Sequence, residues 1–429
     1  MKDLLNKSSD QNRRRFMANA ASTFLGVGMT PMLSNTLMGA GEKASPLTQI
    51  ASAKRVIYLY MSGGMTHLDT FDLKQGHDNQ GPVKGIGTTG DYQISEYLPG
   101  LAKHGNKMAL INSMNSKTGA HQQARYLAHT SYEMRGTIKH PAMGAWLLTF
   151  QDRLNPTLPG NVVIGGGSRH PGSGFFPAKV GPLLIGAADR GLQNVKTRME
   201  QEDFEFRMGL SKQLGQSFAE RYSHKSVAGY SEMYEDAVKL MQSSDLKAFD
   251  LKEEPESVRE AYGNDQFGKG CLLARRLVEN DVRFVEVSLG GWDTHQSNFT
   301  RVPERCNILD RGMSTLISDL DARGLLDDTL VVLATEFGRT PRINQNVGRD
   351  HYPKAFSAVL AGGGINGGQK YGKSDEGGEQ VAENPVSHAD LNATIGYALG
   401  IPLNHVLYSP SKRPFTVAQN GQPISSIFA

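Results

Sequence analysis

With 429 residues, 38% of them hydrophobic, the chain can bury a large core, as one α/β domain with insertions or as two domains. Its 46 basic and 43 acidic side chains nearly cancel, to a formal charge of +3. The body of the chain has no Lys/Arg run interleaved with aromatics, so nucleic acid is not an expected partner.

Residues 1–40 differ from the rest. Asn12-Arg13-Arg14-Arg15-Phe16-Met17 precedes a mildly apolar stretch from Ala18 to Met38, with small residues up to Ala40. A basic start, a modest apolar segment and small residues have the layout of an export signal, and paired arginines before Phe resemble the twin-arginine class. The plainer alternative is a disordered basic tail. Pro31 and the polar residues argue against a membrane span, with a retained anchor as the other possibility. Because twin-arginine substrates cross the membrane folded, often with a metal inserted, the expectation is a periplasmic or secreted metalloprotein that uses the twin-arginine export machinery. Residues 41–54 read as a polar linker.

Val56–Met61 predicts a first strand, followed by a long Gly-rich loop from Gln75 to Tyr92. A short helix over Leu98–His104, a strand over Lys107–Ile111 and a helix starting near His121 come next. Asn161–Ile164 predicts another strand, running into Gly165-Gly-Gly-Ser-Arg-His170. From about 195 to 260 the sequence is charged, poor in glycine and helix-favouring, as expected of a helical insertion. Helix Gly268–Asn280, strand Arg283–Leu289, helix Glu304–Arg323 and strand Leu330–Thr335 then alternate. Leu309, Met313, Leu316, Ile317 and Leu320 line one side of the second helix, so it can pack on a sheet. This rhythm predicts right-handed crossovers and a mainly parallel sheet. Ala355–Ala361 is a further apolar run ending in Gly362-Gly-Gly364. Neither glycine run matches a phosphate-binding or dinucleotide fingerprint, which sets aside a nicotinamide oxidoreductase; both read as tight turns near the site. Ser387 with Asp390 three residues on predicts a capping box for a last helix. Cys271 and Cys306 are too few for a disulfide framework, although export would permit a bridge.

Acids and histidines follow three of these strands at once. In open α/β sheets ligands collect at the carboxyl edge, so the clusters are expected to share one pocket. Asp293 and His295, with His351, are the first candidates for metal ligands, because Asp-x-His on an irregular segment offers two convergent donors. An N-capping Asp and a structural His are the alternative. Glu336 either ligates or pairs with Arg339 or Arg342. His67 and Asp69 follow Gly63-Gly64, which permits close backbone approach; Asp69 could equally close an Asx-turn. At a helix start, His121 faces the positive end of the dipole, which favours a neutral ring for a metal or substrate. Arg125, one turn later, can face the same place and clamp an anionic oxygen.

Ser62-Gly-Gly-x-x-His-x-Asp-Thr-Phe-Asp72, Ala274-Arg-Arg-Leu-Val278, Gly291-Trp-Asp-Thr-His295, Thr335-Glu-Phe-Gly-Arg-Thr-Pro341 and Gly348-Arg-Asp-His351, in this order, resemble a bacterial family of exported, sulfatase-like proteins of unknown function, DUF1501. That family resembles the alkaline phosphatase and sulfatase superfamily. The implied fold is a three-layer α/β/α sandwich with a mainly parallel sheet, one domain over residues 55–429 carrying the helical insertion. His121 to Ser131 follows the spacing of the sulfatase signature: Arg125 and Thr130 match, but His121 stands where the nucleophile does and Ser131 replaces the closing glycine. Ser62-Gly63 replaces the superfamily's paired aspartates, and Glu336-Phe337 its later Asp-Asn or Asp-His. Asp293, His295 and His351 are similar in order and type to the ligands of one phosphatase zinc. The resemblance therefore implies a hydrolase dependent on a divalent metal, zinc or calcium-like, acting on an anionic small molecule or glycan ester. Asp293, His295, His351, Glu336, Asp69 and His67 would serve the metal, His121 would be nucleophile or acid-base group, and Arg125 and Arg339 would bind substrate. A non-catalytic binding or assembly protein on the same fold is the alternative.

Overall fold

The computed structural model describes residues 50–193, 195, 200, 202–210, 213 and 235–429, and Gln49–Ala429 form a compact unit. The export-signal reading of residues 1–40 and part of the insertion read at 195–260 lie outside the described residues. Inside that insertion, 202–210 and 235–242 are helical, and Glu256–Tyr262 forms a further short helix. No described helix is long and apolar enough to cross a membrane.

A nine-stranded sheet organises the chain. Its strands are β1 (Arg55–Met61), β2 (Met108–Asn115), β3 (Asn161–Ile164), β4 (Leu183–Ile185), β5 (Phe284–Leu289), β6 (Thr329–Thr335), β7 (Phe356–Ala361), β8 (Gln369–Tyr371) and β9 (Val386–Ser387). Across the sheet the order is β8-β2-β7-β6-β1-β5-β3-β4, with β9 also on β2. β1 pairs in parallel with β5 and β6, and β3 in parallel with β4 and β5. β7 alone runs against its neighbours β2 and β6.

The alternation of side chains along these strands explains the layers. Ile57, Leu59 and Met61 of β1 point into one core with Val285 and Val287, whereas Val56, Tyr58 and Tyr60 point into a second with Leu330 and Val332. Strands buried on both faces need such continuous apolar runs. The main helices are α1 (His121–Thr130), α2 (Met143–Phe150), α3 (Gln266–Glu279), α4 (Asn298–Ala322) and α5 (His388–Ala398). α3 and α4 cover the first core, with Leu309, Met313, Leu316, Ile317 and Leu320 turned inward; α2 and α5 cover the second. The sandwich is therefore α/β/α with a mainly parallel sheet. Asp265 caps α3 by accepting from the N–H groups of Phe267 and Gly268, and Ser387 and Asp390 form the expected capping box on α5. Cys271 and Cys306 are free and buried in the α3/α4 core.

Three local expectations change. α4 starts at Asn298, about one and a half turns before Pro303, which lies inside the helix rather than at its start. β2 extends to Asn115: Asn112 is satisfied in the interior by donating to Phe71 O and accepting from Ser357 Oγ, so its polarity does not end the strand. Gly362–Gly364 is not near the site. Since β7 is antiparallel, its carboxyl end lies at the amino ends of its neighbours, and a Cβ on Gly362 would fall 2.5 Å from the carbonyl oxygens of Leu326 and Thr329.

Candidate metal centre

β1, β5 and β6 deliver the site, because each ends at the same edge of the sheet. Ser62 follows β1, Asp293 and His295 lie on the loop after β5, and Glu336 follows β6 directly. α1 adds His121 in its first turn, and a short two-residue strand brings His351 back beside Arg339. Two glycines make this approach possible. Gly63, at φ +119°, lies too close to the amide of Asp293 to carry a Cβ, and Gly64, at φ +82°, too close to the ring of Phe337. A methyl group at Gly64 would sit 2.6 Å from that ring. Gly64→Ala is expected to lower stability by about 1–3 kcal/mol, through the left-handed backbone and overpacking together, read as a drop in the urea midpoint at unchanged slope.

Three imidazoles converge on one carboxylate. His295 Nε2 and His351 Nε2 each lie 3.2 Å from Oδ1 of Asp293, and His121 Nε2 lies 3.4 Å from its Oδ2. His295 Nε2 and His351 Nε2 are themselves 2.9 Å apart. The far side of two rings is held by carboxylates: His121 Nδ1 by Glu336 at 2.7 Å and His295 Nδ1 by Asp350 at 2.6 Å. A carboxylate behind each imidazole fixes the tautomer, so that the inward nitrogen offers a lone pair. Nitrogen and oxygen donors crowded in this way, with orienting acids behind them, fit a divalent cation.

Electrostatics tie the cluster together. Burial opposes the charge of Asp293, but the Arg339 hydrogen bond and charge outweigh it, with help from His351 and His121, and bring its pKa down to about 2. Burial likewise pushes Glu336 up, and hydrogen bonds from His121 and Tyr60 more than reverse this. The Glu336 hydrogen bond raises the His121 pKa, so the carboxylate outweighs the helix dipole that the sequence suggested. Burial and the Arg339 charge lower His351.

The structure redistributes the sequence candidates. It brings Asp293, His295, His351 and His121 together and places Arg125 beside them, half-buried, its guanidinium 3.3 Å from Ser62 Oγ. Glu336 stands behind His121 and pairs with neither Arg339 nor Arg342; it accepts from Tyr60 and the amide of Gly63. Arg339 points inward, away from solvent. It is fully buried and spends its donors on Asp293 and the carbonyls of Gly63, Gly64 and Arg349. Asp69 and His67 are turned away as well. Asp69 accepts from Arg349, Asn298 and Thr66 in the interior, and His67 donates to the carbonyl of Gly378.

Sequence reasoning missed Asp350, and with it a second group made of His129, His170 and Glu286. Two signals were there to be used. His121, Arg125 and His129 recur every four residues and share a helix face. Glu286 is the one acid in the apolar β5, where only a partnered charge is tolerated.

A parallel α/β/α sandwich with a histidine and carboxylate cluster at its carboxyl edge is the class of protein that these features define. The chain belongs to the family described as "Protein of unknown function (DUF1501)", whose profile matches residues 53–428. No curated protein matches its sequence. Among solved structures it is similar to the lipoteichoic acid synthase LtaP from Listeria monocytogenes, with 10% identity over 82% of this chain and 73% of that one and a TM-score of 0.38. It is also similar to the sulfatase PsFucS1 from Pseudoalteromonas sp., with 14% identity over 88% and 72% and a TM-score of 0.38. The phosphonate monoester hydrolase SpPMH from Silicibacter pomeroyi shares 10% identity over 87% and 76%, with a TM-score of 0.39.

Proposed function

We propose that this protein is an exported, metal-dependent hydrolase of phosphate or sulfate esters. The observation that carries the reading is the convergence of His121, His295 and His351 Nε2 on the carboxylate of Asp293, all within 3.4 Å. Three imidazoles suit a zinc-class ion better than calcium, which prefers oxygen donors. When bound, such an ion supplies Lewis-acid polarisation of an ester oxygen and a nucleophilic water at neutral pH.

The chain's own residues do the rest. Arg339 holds Asp293 ionised and in place, and Glu336 and Asp350 aim the rings of His121 and His295. Arg125 offers a planar fork to the anionic oxygens of the ester. Arg13-Arg14-Arg15-Phe16 supports export by the twin-arginine machinery, which agrees with a metal loaded before translocation.

Elemental analysis of the full chain purified from the periplasm tests this together with an aryl phosphate and aryl sulfate screen. About one equivalent of metal and ester turnover are expected in the wild type, and both are expected to vanish in Asp293→Ala/His351→Ala. Less than about half an equivalent, unchanged in that variant, would sink the mechanism. Bound metal with no turnover on either ester class would favour the binding-protein alternative.

A further inference from the structure

Beside the candidate metal centre lies a cavity of about 240 Å³. Arg125, His129, Gly166, Arg169, His170 and Glu286 stand around it. The turn after β3 packs so closely that a Cβ on Gly166 would fall 2.2 Å from Ser288 Oγ, and this turn carries Arg169 and His170 to the cavity.

His129, His170 and Glu286 have the chemistry of metal ligands: Oε2 of Glu286 is 3.1 Å from His129 Nε2 and 3.5 Å from His170 Nε2. The hydrogen bond behind His170 points elsewhere. The amide of Gly172 donates to Nδ1 of His170 over 3.0 Å, which leaves the ring proton on Nε2, facing the carboxylate. A ligating imidazole has the opposite arrangement, with the proton on its outer nitrogen. His129 Nδ1 lies 2.8 Å from the carbonyl oxygen of Arg125, and its Nε2 faces Glu286. Both nitrogens of this ring face oxygen atoms. Burial opposes a charge on the ring, but Glu286 outweighs it and raises the His129 pKa; burial pushes Glu286 up, yet the two histidines hold it far below the carboxylate range. The carboxylate of Glu286 is thus occupied by the two histidines. Arg125 and Arg169 remain, and neither has an ion-pair partner among the described residues.

We propose that this cavity binds a second anionic group of the substrate, a sulfate, phosphate or carboxylate carried away from the ester at the metal centre, with Arg169 as its specific contact and Arg125 at the junction. What the ligand belongs to rests on the hydrolase reading; the anion site itself does not. The substrate class is then a doubly anionic ester, such as a multiply sulfated or phosphorylated sugar.

Calorimetric titration of the full chain with inorganic sulfate and with inorganic phosphate, at constant ionic strength, tests the site. Saturable binding is expected to survive in Asp293→Ala/His351→Ala. It is expected to weaken about tenfold in Arg169→Ala, the loss of one charge-assisted contact, and to recover in part in Arg169→Lys. Metal content in His170→Ala is expected to stay at the wild-type level. The site is overturned by absence of saturable binding in the wild type, by equal affinity in Arg169→Ala, by loss of binding in the double variant, or by loss of metal in His170→Ala. Anion binding without ester hydrolysis would support the site while counting against the hydrolase reading.

Discussion

His121→Ala is expected to remove bound metal along with ester hydrolysis. The sequence allows His121 to be a nucleophile, since it holds the nucleophile position of the sulfatase signature that this segment resembles, but its two nitrogens are engaged as a ligand's would be. Nδ1 faces Glu336 at 2.7 Å, and Nε2 faces Asp293 with the ring of His351 only 4.3 Å away between centroids. A nucleophile could be deleted with the metal retained; a ligand could not. Elemental analysis of the variant separates the two, and metal at the wild-type level with abolished turnover would restore the nucleophile. Glu336→Gln provides a graded comparison. It keeps the size of the side chain but removes the charge behind His121, and metal affinity is expected to fall about 10–100-fold, the usual range for a group that orients a ligand.

The second large effect concerns stability rather than chemistry. Asp69 and Arg349 are both fully buried and meet through two contacts, Nε to Oδ2 at 2.9 Å and Nη2 to Oδ1 at 3.2 Å. Arg349 also donates to the carbonyls of Thr340, Pro341, Asn79 and Gln80, so it pins the loop that carries Asp350 and His351. Asp69→Ala leaves an uncompensated buried guanidinium, together with Asn298 and Thr66 groups that have lost their acceptor. A loss of about 3–5 kcal/mol is expected in urea unfolding monitored by circular dichroism. A loss below about 1 kcal/mol together with lost metal would instead make Asp69 a ligand.

The contrast between Asp69 and Asp293 shows why strand-end acids were only partly legible. Both lie on the loops that follow apolar strands, and both look equally suited to a metal. What separates them is which partners each meets: Asp69 is enclosed by Arg349, whereas Asp293 shares Oδ1 between Arg339, His295 and His351 and turns Oδ2 to His121. Arg339 and Arg349 come from segments far along the chain, so spacing around either acid could not reveal the pairing. Gly362–Gly364 failed for a related reason. An apolar run of six residues has no direction written in it, and the antiparallel pairing of β7 reversed the edge at which it ends.

The sequence by itself determined the layers and the edge. Apolar runs long enough to be buried on both faces, separated by helices with one apolar side, leave little but a mainly parallel sandwich, because each strand must bury both faces and each helix one. Acids and histidines directly after β1, β5 and β6 then had to gather at the carboxyl edge. Tertiary structure alone decided the roles: His121 beside Asp293, Glu336 behind His121, Arg339 buried as a support, and His129 with Glu286 beside a cavity lined by arginines. A side chain's chemistry depends on the partner that removes its water, and those partners come from segments up to 311 residues away.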